Sequence, residues 1–143
     1  MTTAAPVTST RLSRRVFVPL TLAVGAIVGI AANSIVAFAA ISAGANPSFA
    51  PLTIAVYAPF TILGLVAGYI GWRLVRRGVN SPRRVLTVLV PVLLVLSFAP
   101  DTIALLIGFI PGGSVTGFVG LMIMHVIVVA IGVPIYQRLA PVH

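Results

Sequence analysis

An all-α membrane protein, built as a bundle of four transmembrane helices with both termini cytoplasmic, is the architecture this sequence predicts, and three observations predict it. Apolar residue types make up 59% of the chain and charged residues only 7%, against roughly 25% charged in a soluble domain. The apolar residues collect into four runs, each near or above the roughly 20 residues a helix needs to cross the hydrocarbon core. The nine basic residues are all arginines, and they occur only at alternate ends of those runs. Short basic loops stay on the cytoplasmic side, so this pattern orients every segment.

Residues 1–15 read as a disordered basic tail, small and polar at first and then carrying Arg11, Arg14 and Arg15. Span one covers residues 16–42. A second reading of this segment stays open, because Ser13-Arg14-Arg15-Val16-Phe17-Val18 has the form of a twin-arginine export signal and Ala37-Phe38-Ala39 that of a cleavage site. Against it, the run exceeds the about 7–15 apolar residues of a signal core, and more apolar segments follow. Gly44, Asn46 and Pro47 then mark an outer turn, and Pro51 suits the first residue of the next helix. Span two covers residues 52–74 and is expected to bend at Pro59, which lacks a backbone donor.

The strongest topological signal follows in residues 72–84, where Arg73, Arg76, Arg77, Arg83 and Arg84 lie between two apolar runs. Span three starts at Val85 and admits two endings. Either the helix continues through Pro100 to residue 107, or it stops at Ala99 and Asp101 caps a short surface segment. The first is favoured, since 15 residues from Val85 to Ala99 reach only about 22 Å of a roughly 30 Å core. Ile110-Pro111-Gly112-Gly113-Ser114 breaks the chain, span four covers residues 115–136, and residues 139–143 follow Arg138 as a short tail ending in His143. Tyr69, Trp72 and Tyr136 fall near the inner boundary, Phe49 and Phe109 near the outer one.

Helices in lipid associate through small residues and polar contacts. Gly25 and Gly29 in span one form a GxxxG continued at the same spacing by Asn33 and Ala37, and Gly64 and Gly68 form another in span two. Such faces serve packing within the chain or self-association.

Several of these features together resemble a family of small four-span bacterial membrane proteins, found chiefly in high-GC Gram-positive bacteria and classed as a domain of unknown function. The residues carrying the resemblance are Asn33, Arg83-Arg84-Val85-Leu86, Ser97-Phe98-Ala99-Pro100, Leu121-Met122-Ile123-Met124-His125-Val126 and Pro134. It implies an integral protein of the cell membrane and no activity. The long apolar stretch between Pro100 and His125, with Asp101 inside it, departs from the family pattern.

Little chemistry is available. Cysteine is absent, which removes thiol catalysis and thiolate metal sites. The spans contain one acid, Asp101, and one imidazole, His125, fewer than the convergent groups that metal or acid–base catalysis uses. Ser97, His125 and Asp101 have the residue types of a triad, but no nucleophile elbow surrounds the serine. An enzyme is not expected, nor a cofactor or metal. The formal charge of +8 suits anionic headgroups at the cytoplasmic face, and no aromatic-interleaved basic groove points to nucleic acid.

His125 falls near mid-membrane and Asn33, Ser97 and Asp101 progressively farther out on their own spans, so the four are expected to converge as a polar cluster. His125 is expected to be uncharged, turned into the bundle and hydrogen-bonded to Asn33 or Ser97, or to Asp101 if span three is one continuous helix. Two function classes follow: a structural or partner-binding membrane module, including a homo-oligomer, or a subunit of a transporter or proton- or ion-conducting assembly that uses this cluster.

Overall fold

A computed structural model describes residues 14–142. The expectations for residues 1–13, Arg11 among them, and for His143 lie outside the described residues. The chain forms four long helices, α1 (Arg14–Ser42), α2 (Ile54–Gly78), α3 (Pro82–Leu106) and α4 (Val115–Leu139), and the described residues contain no strand. All four are long and apolar enough to cross a membrane. At about 1.5 Å per residue they reach about 37–43 Å, beyond a roughly 30 Å hydrocarbon core, so their ends extend into the headgroup region. The fold is therefore that of a multi-pass membrane protein.

The helix ends follow from local chemistry. α1 and α3 both stop in a Schellman motif at a left-handed glycine, Gly44 (φ 99°) and Gly108 (φ 63°). At the first, Ala45 N–H donates to Ala40 O at 2.9 Å and Gly44 N–H to Ile41 O at 3.0 Å; at the second, Phe109 N–H donates to Ala104 O at 3.0 Å and Gly108 N–H to Leu105 O at 3.3 Å. These bonds satisfy carbonyls that the helix leaves orphaned. α4 begins at Ser114, whose hydroxyl accepts from Gly117 N–H at 3.2 Å.

Three boundaries differ from the sequence reading, and the end of α3 follows the favoured one. Pro51 lies in a separate 3-10 turn, Ala50–Leu52, because Thr53 is extended (ψ 144°) and interrupts the helix before α2. The basic segment between spans two and three shrinks to residues 79–81, since arginine is a good helix former and both helices run on into it. α3 continues unbroken through Pro91 and Pro100, which decides between its two predicted endings. Leu139 and Ala140, expected in a tail, are buried. They are held there because the Trp72 indole Nε1–H donates to Ala140 O at 2.9 Å.

α2 and α4 form the shared centre, with α1 packed on one side of them and α3 on the other. Two core layers stack along the bundle. At the uncharged end Phe49 packs on Phe118, with ring centroids 5.1 Å apart, among Ala40, Leu52 and Met124. At the arginine end Tyr69, Trp72 and Tyr136 cluster with Leu65, Leu86 and Leu139. Arg73 stands over the Tyr69 ring at 5.7 Å.

The glycine faces pack within the chain. A Cβ added at Gly25 would collide with Ile135 Cδ1, and one at Gly29 would lie 3.0 Å from Thr61 Cγ2. On α2, Gly64 faces Val128 and Gly68 faces the Tyr136 hydroxyl, which donates to Leu65 O at 2.8 Å. α3 is the exception to this close packing: Leu86 is its one buried residue.

Candidate functional site

Gly64 lies against Val128, and α2 and α4 both run from the uncharged end toward the arginine end. Three residues earlier on each helix, Thr61 and His125 therefore stand at one level, near the middle of α4. Two polar seams meet this level from opposite sides.

The first seam joins α1 to α2. Gly29 lets Thr61 approach, and one turn further along α1 the Asn33 amide Nδ2 donates to Thr61 Oγ1 at 2.9 Å. The Thr61 hydroxyl in turn donates to Tyr57 O at 2.8 Å. Because that proton is committed, the hydroxyl needs a donor, and this fixes the orientation of the Asn33 amide. Ser34 and the Tyr57 hydroxyl are 2.8 Å apart, while Ser34 also donates to Ile30 O. Asn33 is only 1% exposed, and its Oδ1 has no hydrogen-bond partner.

The second seam joins α3 to α4. His125 Nδ1 lies 2.9 Å from Leu121 O; a carbonyl only accepts, so Nδ1 carries a proton and donates. Asp101 Oδ2 stands 3.6 Å from the same nitrogen, within ion-pair distance but beyond a proper hydrogen bond, and is buried without a hydrogen-bond partner. Phe98 meets the imidazole edge-on at 6.2 Å. The His125 side chain is 39% exposed and that of Asp101 17%.

The expected four-residue cluster is thus divided. Asp101 and His125 come together, as the continuous α3 requires. Asn33 is on the far side of α4, bound to Thr61, and Ser97 turns back to its own helix, donating to Leu94 O at 2.6 Å. Geometry explains the separation: α4 stands between α1 and α3, so residues on those helices cannot share its faces. Nor is His125 turned fully inward; its ring lies at the rim of the α3–α4 contact.

Thr61, Tyr57 and Ser34 were not expected at a site. The signal for two of them exists in the sequence. Tyr57, Thr61, Leu65, Tyr69 and Trp72, spaced by three or four residues, form the buried stripe of α2, and Thr61 is the small polar member of that stripe. Among the described residues no three His, Cys, Asp or Glu side chains group as a metal site. The chain matches no family model, no curated protein and no solved structure.

Proposed function

We propose that this chain is a partner-binding module of the cell membrane, with both termini and the 79–81 connection in the cytoplasm, whose α3–α4 seam is completed by a transmembrane helix of another protein. Its place among the small four-span bacterial proteins described above belongs to the same proposal, and it includes no catalytic role. One observation carries the reading: near the middle of α4 and toward the end of α3, Asp101 Oδ2 is buried without a hydrogen bond and the His125 side chain is 39% exposed beside it. Lipid offers such groups nothing, whereas a helix bearing an Asn or Gln side chain, whose amide carries two N–H donors, satisfies both.

The experiment is co-purification of the tagged chain from its native membrane in a mild detergent. A stoichiometric membrane partner is expected with the native sequence, with recovery lowered at least about tenfold, or about 1.4 kcal/mol, in Asp101→Asn and His125→Leu. A partner-free monomer from the native membrane, or full recovery in both variants, refutes it.

A second reading, a proton- or ion-conducting subunit, is favoured by the same acid and imidazole 3.6 Å apart within the spans. It predicts proton flux in liposomes that His125→Gln abolishes while leaving the fold intact, and four spans with one acid require an oligomer for it. A clean monomeric mass in detergent opposes it.

Orientation is tested with single cysteines in a chain that has none of its own. Positions Asn46 and Gly112 are expected to react with an impermeant reagent from outside, and Thr3, Asn80 and Val142 only after permeabilisation. External labelling at Asn80 reverses the assignment, and loss of about the first 39 residues from the native mass would show that span one is a cleaved signal.

A further inference from the structure

The arginine end of the bundle holds a groove that neither seam explains. Between α2, α3 and α4 lies a cavity of about 570 Å³, walled by Trp72, Leu86, Val90, Pro91 and Val133, with Arg83 at its rim. A second cavity of about 460 Å³ adjoins it, sharing Arg83 and Thr87 and adding Asn80, Ser81 and Arg84. The two adjoin at Arg83 and Thr87; the first carries Thr87 and Gln137 beside its apolar walls, and the second, at the mouth, carries both Arg83 and Arg84. The volume of each part falls within the about 300–1,000 Å³ of small-molecule sites.

Among the described residues no acidic side chain lines this mouth. The sole acid of the chain is Asp101, which lies beside His125 on the far part of α3. α3 begins at this mouth, its first turn contains no acidic residue, and Ser81 makes no side-chain cap bond. Two arginines thus stand at the positive end of a helix, where cations are disfavoured. An anion relieves that field, and an apolar chain attached to it fills the wall below.

We propose that this groove is a seat for one anionic phospholipid, its phosphate at Arg83 and Arg84 and an acyl chain along Leu86, Val90 and Pro91 toward Trp72. The groove belongs to the inner-leaflet end of the spans in the topology proposed above, where anionic headgroups are concentrated. It rests on the helices crossing a bilayer and is independent of the docking role given to Asp101 and His125.

Trp72 is the chain's one tryptophan, so its fluorescence reports the groove directly. The full chain is reconstituted in phosphatidylcholine vesicles containing graded amounts of phosphatidylglycerol or phosphatidylcholine with a brominated acyl chain. Half-maximal quenching is expected at a mole fraction at least about fivefold lower for the anionic lipid, the equivalent of about 1 kcal/mol for one arginine. In the doubly substituted Arg83→Gln, Arg84→Gln variant that advantage is expected to fall to about one. Arg76→Gln with Arg77→Gln removes the same charge from α2 outside the groove and is expected to keep it. Val90→Phe fills the apolar wall without altering charge and is expected to lose it, which keeps the test open should the arginine variant misfold.

Equal quenching by the two lipids, loss of preference in the Arg76 and Arg77 variant, or native behaviour of Val90→Phe overturns the seat. Relief of quenching by inorganic phosphate alone also overturns it, by showing a headgroup site without a chain. Failure of the protein to float with vesicles would instead refute the membrane reading itself.

Discussion

Asn33 and Thr61 stand on one side of α4 and Asp101 and His125 on the other, and the contrast between them shows how one bundle treats polar groups in two ways. In the α1–α2 seam a glycine, Gly29, brings the backbones close, the amide and hydroxyl bond at 2.9 Å, and both side chains are buried. In the α3–α4 seam the groups stop at 3.6 Å, the imidazole is half-exposed, and α3 buries only Leu86. The first seam fastens helices of the same chain. The second is left open, and an open polar seam in lipid is a place for another molecule.

The sharpest way to break this comparison is at the close approach itself. Gly29→Leu drives a side chain into Thr61 and is expected to lower stability in detergent by about 1–3 kcal/mol, read from unfolding in SDS. Val95→Leu, on the exposed surface of α3, is expected to change it by less than about 0.5 kcal/mol. Equal losses in the two variants would mean that α3 is packed as tightly as α1.

A smaller effect is expected from the fastened hydrogen bond. In a double-mutant cycle of Asn33→Leu and Thr61→Val, the coupling should fall near about 0.6 kcal/mol and not exceed about 1.7 kcal/mol. Zero coupling would leave the glycine face, and not the hydrogen bond, as the fastening of that seam.

The smallest effect is expected at Asp101 and His125. In the isolated chain, Asp101→Asn and His125→Leu should each shift stability by less than about 0.5 kcal/mol, with no measurable coupling, because no hydrogen bond joins the pair. Coupling above about 1 kcal/mol would make this seam a second internal fastening and remove the reason for a partner.

Much of this architecture is legible in the order of residues. Four apolar runs between Gly-, Pro- and Arg-rich segments yield four helices because a backbone in hydrocarbon must satisfy its own hydrogen bonds, and a helix does so without reference to its neighbours. Gly44 and Gly108 end two of them by the same local logic. Asp101 beside His125 was legible only conditionally, since it required α3 to pass through Pro100. The extent of α2 and α3 into the arginines, and the 3-10 turn at Pro51, lay beyond composition because water and headgroups accommodate several boundaries almost equally well.

What the sequence by itself determined is therefore the number of helices, the segregation of arginines to one end, and the identity of the few polar residues that lie within the spans. What only the tertiary structure decided is which of those residues meet. Asn33 finds Thr61 and not His125, Ser97 returns to Leu94, and Arg83 borders a groove shared by three helices. The physical reason is that helix rotation and neighbour order are set by close packing between segments distant in the chain. Lipid, as apolar as the side chains it solvates, gives each helix no strong preferred face until another helix supplies one.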